Sequence, residues 1–416
     1  MKILGIVAEY NPFHYGHLYH LNRSKEIIKP DYVIAIMSGN FTQRGEPALF
    51  DKWTRTKMAL KNGIDAIIEL PISYACQSAE LFALGAMQLL DACNIITHIS
   101  FASESGSLDP IYKIARILAN EPAIYKKHLR HFLNKGLSYP NARNNALAYF
   151  ADDLNMTKKD LNHLLQSPNS ILGIEYIKAI IRINSNIEPV TFARKDAQYH
   201  DSKLKGKISS ATAIRNKLKT TQCHECVRST LPKSSYDIMT EAISKGRGPV
   251  FLDDFEQLIL GTLRTMTAKQ ISEIMDVVEG LENRIKRASQ DYDTIDKILE
   301  NTITRRYVGT RIQRILINTL IRVTTDRIKT FNESVGPRYI RILGFKKDSQ
   351  ILMNKLKRSA NLPIITKSTH FQRSDDELLR EMFLLDTLST DLYVLGMKSP
   401  NYRQGGLDFK TPPVIL

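Results

Sequence analysis

The fold of this chain of 416 residues is decided by three consecutive stretches near its start. They are Lys2-Ile-Leu-Gly-Ile-Val-Ala8, Glu9-Tyr-Asn-Pro12 and His14-Tyr-Gly-His17. The first segment contains a short apolar run of the kind found in buried strands. The Asn-Pro pair in the second segment is a turn signal, and residues 17–28 predict a helix. The H-x-G-H motif therefore lies between the end of a strand and the start of a helix.

The two histidines of this motif suit the phosphates of a nucleotide. A helix N-terminus presents free N–H groups and a partial positive charge to an anion, and imidazoles there can donate hydrogen bonds to charge building on an α-phosphate. Gly16 lets the chain approach a nucleotide closely. The spacing alone leaves two alternatives open, because His20 extends the series to one that suits zinc, and the histidines could simply cap the helix or lie on its surface. We expect chemistry at the α-phosphate of ATP, since α/β folds bind ligands at the carboxyl ends of their strands.

The composition indicates a globular protein with an anionic partner. The apolar fraction is 43%, and the formal net charge is +15 with a pI of about 9.5. Enzymes of small metabolites rarely need that excess, so nucleic acid is favoured over a membrane as the partner. No apolar stretch approaches the roughly 20 residues of a membrane span. The four cysteines, without a signal-peptide layout at the N-terminus, predict reduced thiols in the cytoplasm. Cys223 and Cys226 have zinc-like spacing, but no second such pair exists in the chain, which disfavours a metal site.

The first half of the chain alternates apolar strands with helices. Further strands are predicted at residues 32–37, 64–70, 95–101 and 189–193, and helices at 51–61, 78–92 and 173–182. Residues 110–165 form an insertion with helical character. This alternation predicts a doubly wound parallel sheet.

Strand signals fade from about residue 216. Helices are predicted at residues 254–265, 270–279 and 305–324, for example, and a helix at 375–388 follows the apolar stretch 362–366. We therefore expect three domains: a nucleotide-binding domain at 1–220, a helical domain at 221–338, and a small α/β unit at 339–416.

Most of the excess positive charge lies between Arg305 and Arg358. This segment has fourteen Lys or Arg and three acidic residues, and it contains interleaved aromatic residues such as Tyr307. Such a pattern suits a phosphate backbone and an unstacked base, although some of these cations could instead solvate helix faces or pair internally. The candidate RNA contacts are Arg305, Arg306, Arg311, Arg314, Arg322, Arg338, Arg341, Lys346 and Lys347.

Three polar segments follow predicted strands or open helices, where an α/β site would collect its parts. The loop at 38–45 has an unusual density of polar residues, and with the start of the next helix it offers Gly39, Asn40, Thr42, Arg44 and Lys52 for a second substrate. Asp51 could reach the same cleft or serve as a helix N-cap.

Asn169 opens a helix and could cap it or meet a ribose or base. The segment Ile208-Ser-Ser-Ala-Thr-Ala-Ile-Arg215 could cradle leaving phosphates with Ser209, Ser210 and Arg215, or could be an ordinary capped helix. Arg194 and His200 are further candidates near this cleft.

The longer strings around these motifs resemble the tRNA(Met) cytidine acetate ligase family of the H-x-G-H nucleotidylyltransferase superfamily. They are GIVAEYNPFHYGHLYHL, SGNFTQRGEPALFDKW, DAIIELP, SPNSILGIEYIKA and YHD…ISSATAIR. The resemblance implies a Rossmann-like sheet of the nucleotidylyltransferase type, followed by a helical, basic C-terminal region. It also implies that ATP is bound by Val7, Ala8, Glu9, Tyr10, Asn11, Pro12, Phe13, His14, Gly16, His17, His20, Ala102, Asn169 and Arg194. Ala102 stands where the family pattern has Gly, and its methyl group would narrow the adenine slot.

The family's reaction gives these residues roles. Acetate attacks the α-phosphorus of ATP, and the acetyl-adenylate then acetylates N4 of the wobble cytidine of elongator tRNA(Met). His14 and His17 would stabilise the crowded phosphate, while Ser209, Ser210 and Arg215 would hold pyrophosphate, with Mg²⁺ bridging the phosphates. No protein partner is implied. Two alternatives stay open, a small-molecule adenylyltransferase of the H-x-G-H class and a non-catalytic RNA-binding protein.

Overall fold

The computed structural model describes residues 1–194, 208–221, 223–304, 306–334 and 336–416. In these ranges one mixed sheet contains eight strands, in the order β5-β4-β1-β2-β3-β6-β7, with β8 also paired to β6. The strands are β1 (Ile3–Ala8), β2 (Tyr32–Ser38), β3 (Ala66–Leu70), β4 (His98–Ser103), β5 (Glu188–Ala193), β6 (Ile340–Phe345), β7 (Ile364–Ile365) and β8 (Val414–Ile415).

Strands β1 to β5 are parallel and have the doubly wound order 3-2-1-4-5. The predicted fold class is therefore confirmed, although the fourth strand begins three residues later than expected. The strand order reverses at β1 and β4, because β2 and β3 are added on one side of β1 and β4 and β5 on the other. The carboxyl ends of β1 and β4 flank the crevice where such sheets bind ligands.

Helices cover both faces of this sheet, as the alternating strand sequences require. In β2, Ile34 and Ile36 face one hydrophobic core and Val33, Ala35 and Met37 face the other. The helices of the first half are α1 (Tyr15–Ile28), α2 (Lys52–Lys61), α3 (Ile72–Ala75), α4 (Ala79–Ala92), α5 (Leu108–Asn120), α6 (Ala123–Asn134), α7 (Tyr139–Leu147), α8 (Lys158–Gln166), α9 (Pro168–Arg182) and α10 (Ala211–Thr221). Helices α5 to α8 form the insertion that the sequence predicts.

The second half is helical up to β6, as expected. Its helices are α11 (Lys233–Ser244), α12 (Glu256–Thr265), α13 (Ala268–Ser272), α14 (Leu281–Asp291), α15 (Ile295–Thr302), α16 (Gly309–Ile321), α17 (Thr325–Glu333), α18 (Gln350–Ser359), α19 (Glu377–Tyr393) and α20 (Leu407–Lys410). Within the described ranges, no helix is long and apolar enough to cross a membrane.

One helix expected in this half is wrong. The helix predicted at 270–279 ends at Ser272, and Ile274 instead forms a β-bridge with Thr324. In the segment from 339, β6 pairs antiparallel with β3 and so extends the main sheet. The predicted domain boundaries near residues 220 and 338 stay predictions.

Candidate active site

A pocket of about 240 Å³ opens at the carboxyl ends of β1 and β4. It collects residues from distant segments of the chain: the β1–α1 turn, the loop after β2, the ends of β4 and β5, helices α4 and α9, and the start of α10. The sequence candidates that line it are Val7, Ala8, Glu9, Tyr10, His14, Gly16, His17, His20, Arg44, Ala102, Asn169, Arg194, Ser209, Ser210 and Arg215. The structure thus brings both ends of the first 220 residues into one site.

His14 is the N-cap of α1 and shapes the start of that helix. Its Nδ1 accepts the Gly16 N–H at 2.9 Å, while the backbone N–H of His14 lies 3.4 Å from Nδ1 of His17. Since Nδ1 is the acceptor in both rings, a neutral imidazole at either position carries its proton on Nε2. The two rings lie 4.0 Å apart between centroids.

The two histidines of the motif and His20 are held in the neutral form. Burial, assisted by the nearby positive charge of Arg194, lowers the pKa of His14 to about 3 and that of His20 to about 4. Burial also lowers the pKa of His17, with further contributions from His14, His20 and Arg194. At neutral pH these rings therefore act as hydrogen-bond donors without a charge of their own.

The start of α10 forms the opposite wall. Ser210 caps this helix, because its Oγ accepts the Ala213 N–H at 3.1 Å. Arg215 pairs with Glu46, and burial lowers its pKa to about 10, so it stays positively charged at neutral pH. With Arg44 and Arg194 also in the lining, this part of the pocket suits an anion.

The other end of the pocket is apolar and has the character of a base-binding slot. Phe82, Phe101, Leu172 and Tyr176 line it together with Ala102, in which the methyl replaces the expected glycine hydrogen. An apolar slot next to a cationic end matches the two parts of a nucleotide.

Asn169 lies beside this slot, and Glu104 holds it in place. The Glu104 carboxylate accepts hydrogen bonds from the Asn169 N–H at 3.2 Å and Nδ2 at 2.9 Å, and from the Ser170 N–H at 2.9 Å and Oγ at 2.6 Å. Burial alone would raise the pKa of Glu104, but these bonds outweigh it and lower that pKa. Glu104 is thus an anchor at the N-terminus of α9 that the sequence analysis missed.

Three residues assigned to the nucleotide by resemblance lie behind the pocket and not in its lining. Asn11 accepts the Leu49 N–H on its Oδ1 at 2.8 Å, and it precedes a cis peptide bond to Pro12. Phe13 is fully buried under the turn. These residues shape the turn from behind the pocket lining.

Most of the expected second-substrate set lies outside the pocket lining, and its role stays a prediction. Gly39, Asn40, Thr42 and Lys52 are buried and do not line the pocket, and only Arg44 of that set does. Asn40 bonds to Thr390 and to the Lys52 N–H, because the loop after β2 packs against α19 and not against open solvent.

Lys52 belongs to a buried charge cluster. Its Nζ lies 2.8 Å from Glu69 and 2.7 Å from Asp408, and the same two acids flank Arg341 at 3.1 and 2.7 Å. Asp51 is the N-cap of α2, accepting the Thr54 N–H at 2.9 Å. These charges join the sheet to the C-terminal segment.

Arg55 is a fully buried side chain that no sequence pattern singles out, since an arginine within a helix usually faces solvent. It donates to the carbonyls of Glu9 at 2.6 Å, Ser38 at 3.1 Å and Phe50 at 2.9 Å, and also to that of Gly39. Arg55 therefore ties the loops after β1 and β2 together. The same loop supplies Gln43, whose N–H donates to Glu9 Oε1 at 2.9 Å.

Several candidate RNA contacts are instead paired with acids of this chain. Arg341 is buried in the cluster above, Arg314 lies 2.8 Å from Asp276, Arg338 pairs with Asp376, and Lys346 lies 2.9 Å from Asp65. Arg311 donates to the Asp276 carbonyl. Only Arg306, Arg322 and Lys347 of the described candidates are exposed. Arg305 and His200 lie outside the described residues.

The metal alternatives gain no support in the described part of the chain. No three His, Cys, Asp or Glu side chains there are grouped to hold a metal ion. Cys223 and Cys226 lie with their Sγ atoms 2.7 Å apart near the surface.

With this pocket in place, comparison with known proteins decides the family. The HIGH Nucleotidyl Transferase family model matches residues 1–408. The tRNA(Met) cytidine acetate ligase of Acetivibrio thermocellus is 44% identical, with both sequences covered completely. The chain belongs to the tRNA(Met) cytidine acetate ligase family.

Structural comparison agrees with this assignment. The ligand-free crystal structure of Thermotoga maritima TmcAL matches with a TM-score of 0.96 at 38% identity, over all of both chains. A second crystal structure of that protein, bound with α-thio ATP, matches with a TM-score of 0.93 over the same extent. The relative from Halothermothrix orenii is 42% identical, over all of this chain and 99% of its own.

Proposed function

We propose that this chain activates acetate with ATP and transfers the acetyl group to N4 of the wobble cytidine of elongator tRNA(Met). The observation that carries the proposal is the single pocket in which the H-x-G-H turn faces the start of α10, beside an apolar slot for a base. The names of the full-length relatives support tRNA(Met) as the acceptor.

In the first step, an acetate oxygen forms a bond to the α-phosphorus, and the bond from that phosphorus to the pyrophosphate oxygen breaks. His14 and His17 donate Nε2–H to the α-phosphate, where charge crowds in the transition state. Because these rings are neutral, the positive charge that faces the phosphates comes from the arginines of the pocket. Arg215, Ser209 and Ser210 hold the pyrophosphate as it leaves.

We also propose that Mg²⁺ accompanies ATP. The pocket fits such an ion, because Glu9 contributes a carboxylate to the lining and Mg²⁺ prefers oxygen ligands while keeping several of its waters. When bound, the ion would supply charge neutralisation on the phosphates.

In the second step, the N4 amine attacks the acetyl carbon, the bond between this carbon and the phosphate oxygen breaks, and AMP leaves together with a proton. An exocyclic amine is a weak nucleophile, which explains the need for an activated acyl group. The cytosine must be unstacked to enter the pocket, as an anticodon loop allows. We also propose a cytoplasmic location, because the acceptor and ATP are found there.

The test is an assay with labelled acetate, ATP, Mg²⁺ and total bacterial tRNA, followed by digestion of the RNA to nucleosides and mass analysis. We expect label in N4-acetylcytidine for the native chain and a loss of about 10²-fold or more for His17→Ala. A labelled acetyl-adenylate without labelled RNA would refute the acceptor but keep the activation step. ATP turnover that joins a small molecule to AMP without acetate would favour the adenylyltransferase alternative.

A further inference from the structure

The helical insertion carries a surface that the nucleotide pocket does not use. Between residues 122 and 151 the sequence has five Lys or Arg and no Asp or Glu. Two of these cations are paired internally, Arg143 with Glu175 at 2.9 Å and Lys126 with Glu121 at 3.7 Å. Lys127, Arg130 and Lys135 are exposed and form no ion pair with any described residue. Asp152 and Asp153 follow directly and are exposed, but neither pairs with these three cations. A local excess of positive charge of this kind attracts polyanions.

Helical geometry gathers these charges on one side of α6. Tyr125 and Leu129 lie on the inner face of this helix, and Tyr125 is buried. Residues 127, 130, 131 and 134 recur at spacings of three and four and so lie on the opposite, outer face. That face carries Lys127, Arg130 and His131, and Lys135 follows at the end of the helix. The outer face of α6 is thus a continuous basic strip.

An aromatic platform borders this strip. His128 stacks on Tyr149 with ring centroids 3.6 Å apart and planes 12° apart, and Phe132 lies against the same ring. Tyr149 is nevertheless 59% exposed. Because the imidazole covers one ring face, the exposed area belongs to the other face and the edge. Lys135 lies 5.9 Å from the centre of the Phe132 ring, so a cation sits directly beside the platform.

The basic segment at 305–358 differs from this surface in how its cations are paired. There, acids of the same chain neutralise Arg314, Arg338, Arg341 and Lys346. Lys127, Arg130 and Lys135 have no such partners among the described residues, and they lie next to an open aromatic ring. Proteins that recognise single-stranded RNA use this arrangement: cations contact the RNA backbone, and a neighbouring aromatic ring stacks on a base.

We propose that α6 and Tyr149 form an RNA-binding surface, on which Lys127, Arg130 and Lys135 contact phosphates and Tyr149 stacks on an unpaired base of the substrate tRNA. This inference rests on the proposed function, because it takes the acceptor to be tRNA. It places part of the tRNA interface in the insertion of the catalytic domain, outside the segment 305–358.

The first test measures tRNA(Met) affinity for Lys127→Ala/Arg130→Ala/Lys135→Ala by fluorescence anisotropy at several salt concentrations. Each lost phosphate contact reduces the slope of log K against log salt by roughly 0.7–0.9, so we expect a reduction of about 2 and an affinity loss of at least about tenfold. The matched control is Lys2→Ala/Lys57→Ala/Lys61→Ala, which removes the same charge from exposed lysines outside the insertion. An equal loss in both variants would overturn the proposal, because the effect would then follow net charge alone.

The second test separates stacking from charge. Base–aromatic stacking is worth about 1–3 kcal/mol, which corresponds to a loss of about 5- to 150-fold for Tyr149→Ala. Tyr149→Phe keeps the ring and should bind tRNA within about twofold of the native chain. A loss in both variants, or in neither, would contradict a stacking role for this ring.

Acetyl-adenylate formation without RNA separates this inference from the proposed function. All of these variants should form it at the native rate, since none of the changed residues lines the pocket. Native binding of tRNA by the triple variant would overturn the surface and leave the proposed function standing. If the native chain binds an acidic protein or anionic vesicles but not tRNA, both the surface assignment and the proposed acceptor are wrong.

Discussion

At the scale of single residues, the two ring nitrogens of His14 have different roles, since one stabilises the helix start and the other faces the reaction. Nδ1 caps α1 by accepting the Gly16 N–H, and Nε2 points its proton away from that bond. Asparagine is among the best N-cap residues but ends short of the position of Nε2. His14→Asn should therefore change the free energy of unfolding by less than about 0.5 kcal/mol yet slow acetate-dependent ATP–pyrophosphate exchange about 10²- to 10³-fold.

Comparison with His14→Gln completes this test, because glutamine reaches further into the pocket but caps poorly. We expect this variant to be less stable by about 1 kcal/mol and faster in exchange than His14→Asn. The reverse ranking in activity would show that the cap, and not the donated hydrogen bond, is what the reaction needs.

The lowered histidine pKa values predict a pH dependence of stability. The pKa of His20 is about 4 in the folded chain, against about 6.5 in an unfolded one. Between these values the unfolded chain binds the extra proton, so stability falls as pH decreases through this window. Urea unfolding at pH 7.5 and pH 5 should therefore show a smaller loss in His20→Leu than in the native chain. The difference between the two losses should be at most about 2 kcal/mol, and identical losses would argue against a neutral, buried His20.

At the scale of elements, the N-terminus of α9 depends on Glu104. The carboxylate accepts four hydrogen bonds, and two of them come from Asn169. Glu104→Gln replaces one acceptor oxygen with an amide group that faces N–H donors, which should turn Asn169 out of its position. We expect the KM for ATP to rise about tenfold, with a stability cost of about 1–3 kcal/mol.

Ser170→Ala is the control for this change, because it removes one bond to the same carboxylate but keeps both contacts of Asn169. Its KM for ATP should stay within about twofold of the native value. If Glu104→Gln and Ser170→Ala raise the KM for ATP equally, the loss of the Asn169 anchor does not explain the rise.

Helices and strands could be predicted from the sequence where a local pattern of apolar residues determines the backbone conformation. The prediction failed where a contact with a distant residue determines that conformation. The strands and helices of the first half follow their apolar runs and N-caps, such as Asp51 at α2 and Ser78 at α4. Residues 270–279 also have helical periodicity, but Asp276 adopts a left-handed backbone with φ 72°. Arg314 bonds to its carboxylate and Arg311 to its carbonyl. These two arginines lie far along the chain, so the local sequence of 270–279 does not predict their contacts with Asp276.

At the scale of the whole molecule, the same limit applies to the candidate site. The motifs that open helices, H-x-G-H and ISSATAIR, lie in one pocket as their positions at strand ends suggest. Lys52 and Arg341 are predicted as ligand contacts but lie in a buried cluster of ion pairs, which the sequence does not reveal because a charged residue gives no sign of its partners. Their partners are Glu69 on β3 and Asp408 on α20, hundreds of residues apart in the chain, and only the packed sheet brings them together.

This buried cluster predicts that the sheet and the C-terminal segment unfold as one unit. Asp408→Asn keeps the shape of the side chain but leaves Lys52 and Arg341 with too little negative charge, and breaking a buried pair costs about 3–5 kcal/mol. The control is Lys398→Ala, which removes a half-exposed ion pair with Asp254 that also tethers the C-terminal segment. Exposed pairs are worth about 1 kcal/mol or less. In urea we therefore expect a large shift of one cooperative transition for Asp408→Asn and almost none for Lys398→Ala. Two separate transitions for Asp408→Asn, with the pocket still able to bind ATP after the first, would show that the segment folds on the sheet as an independent layer.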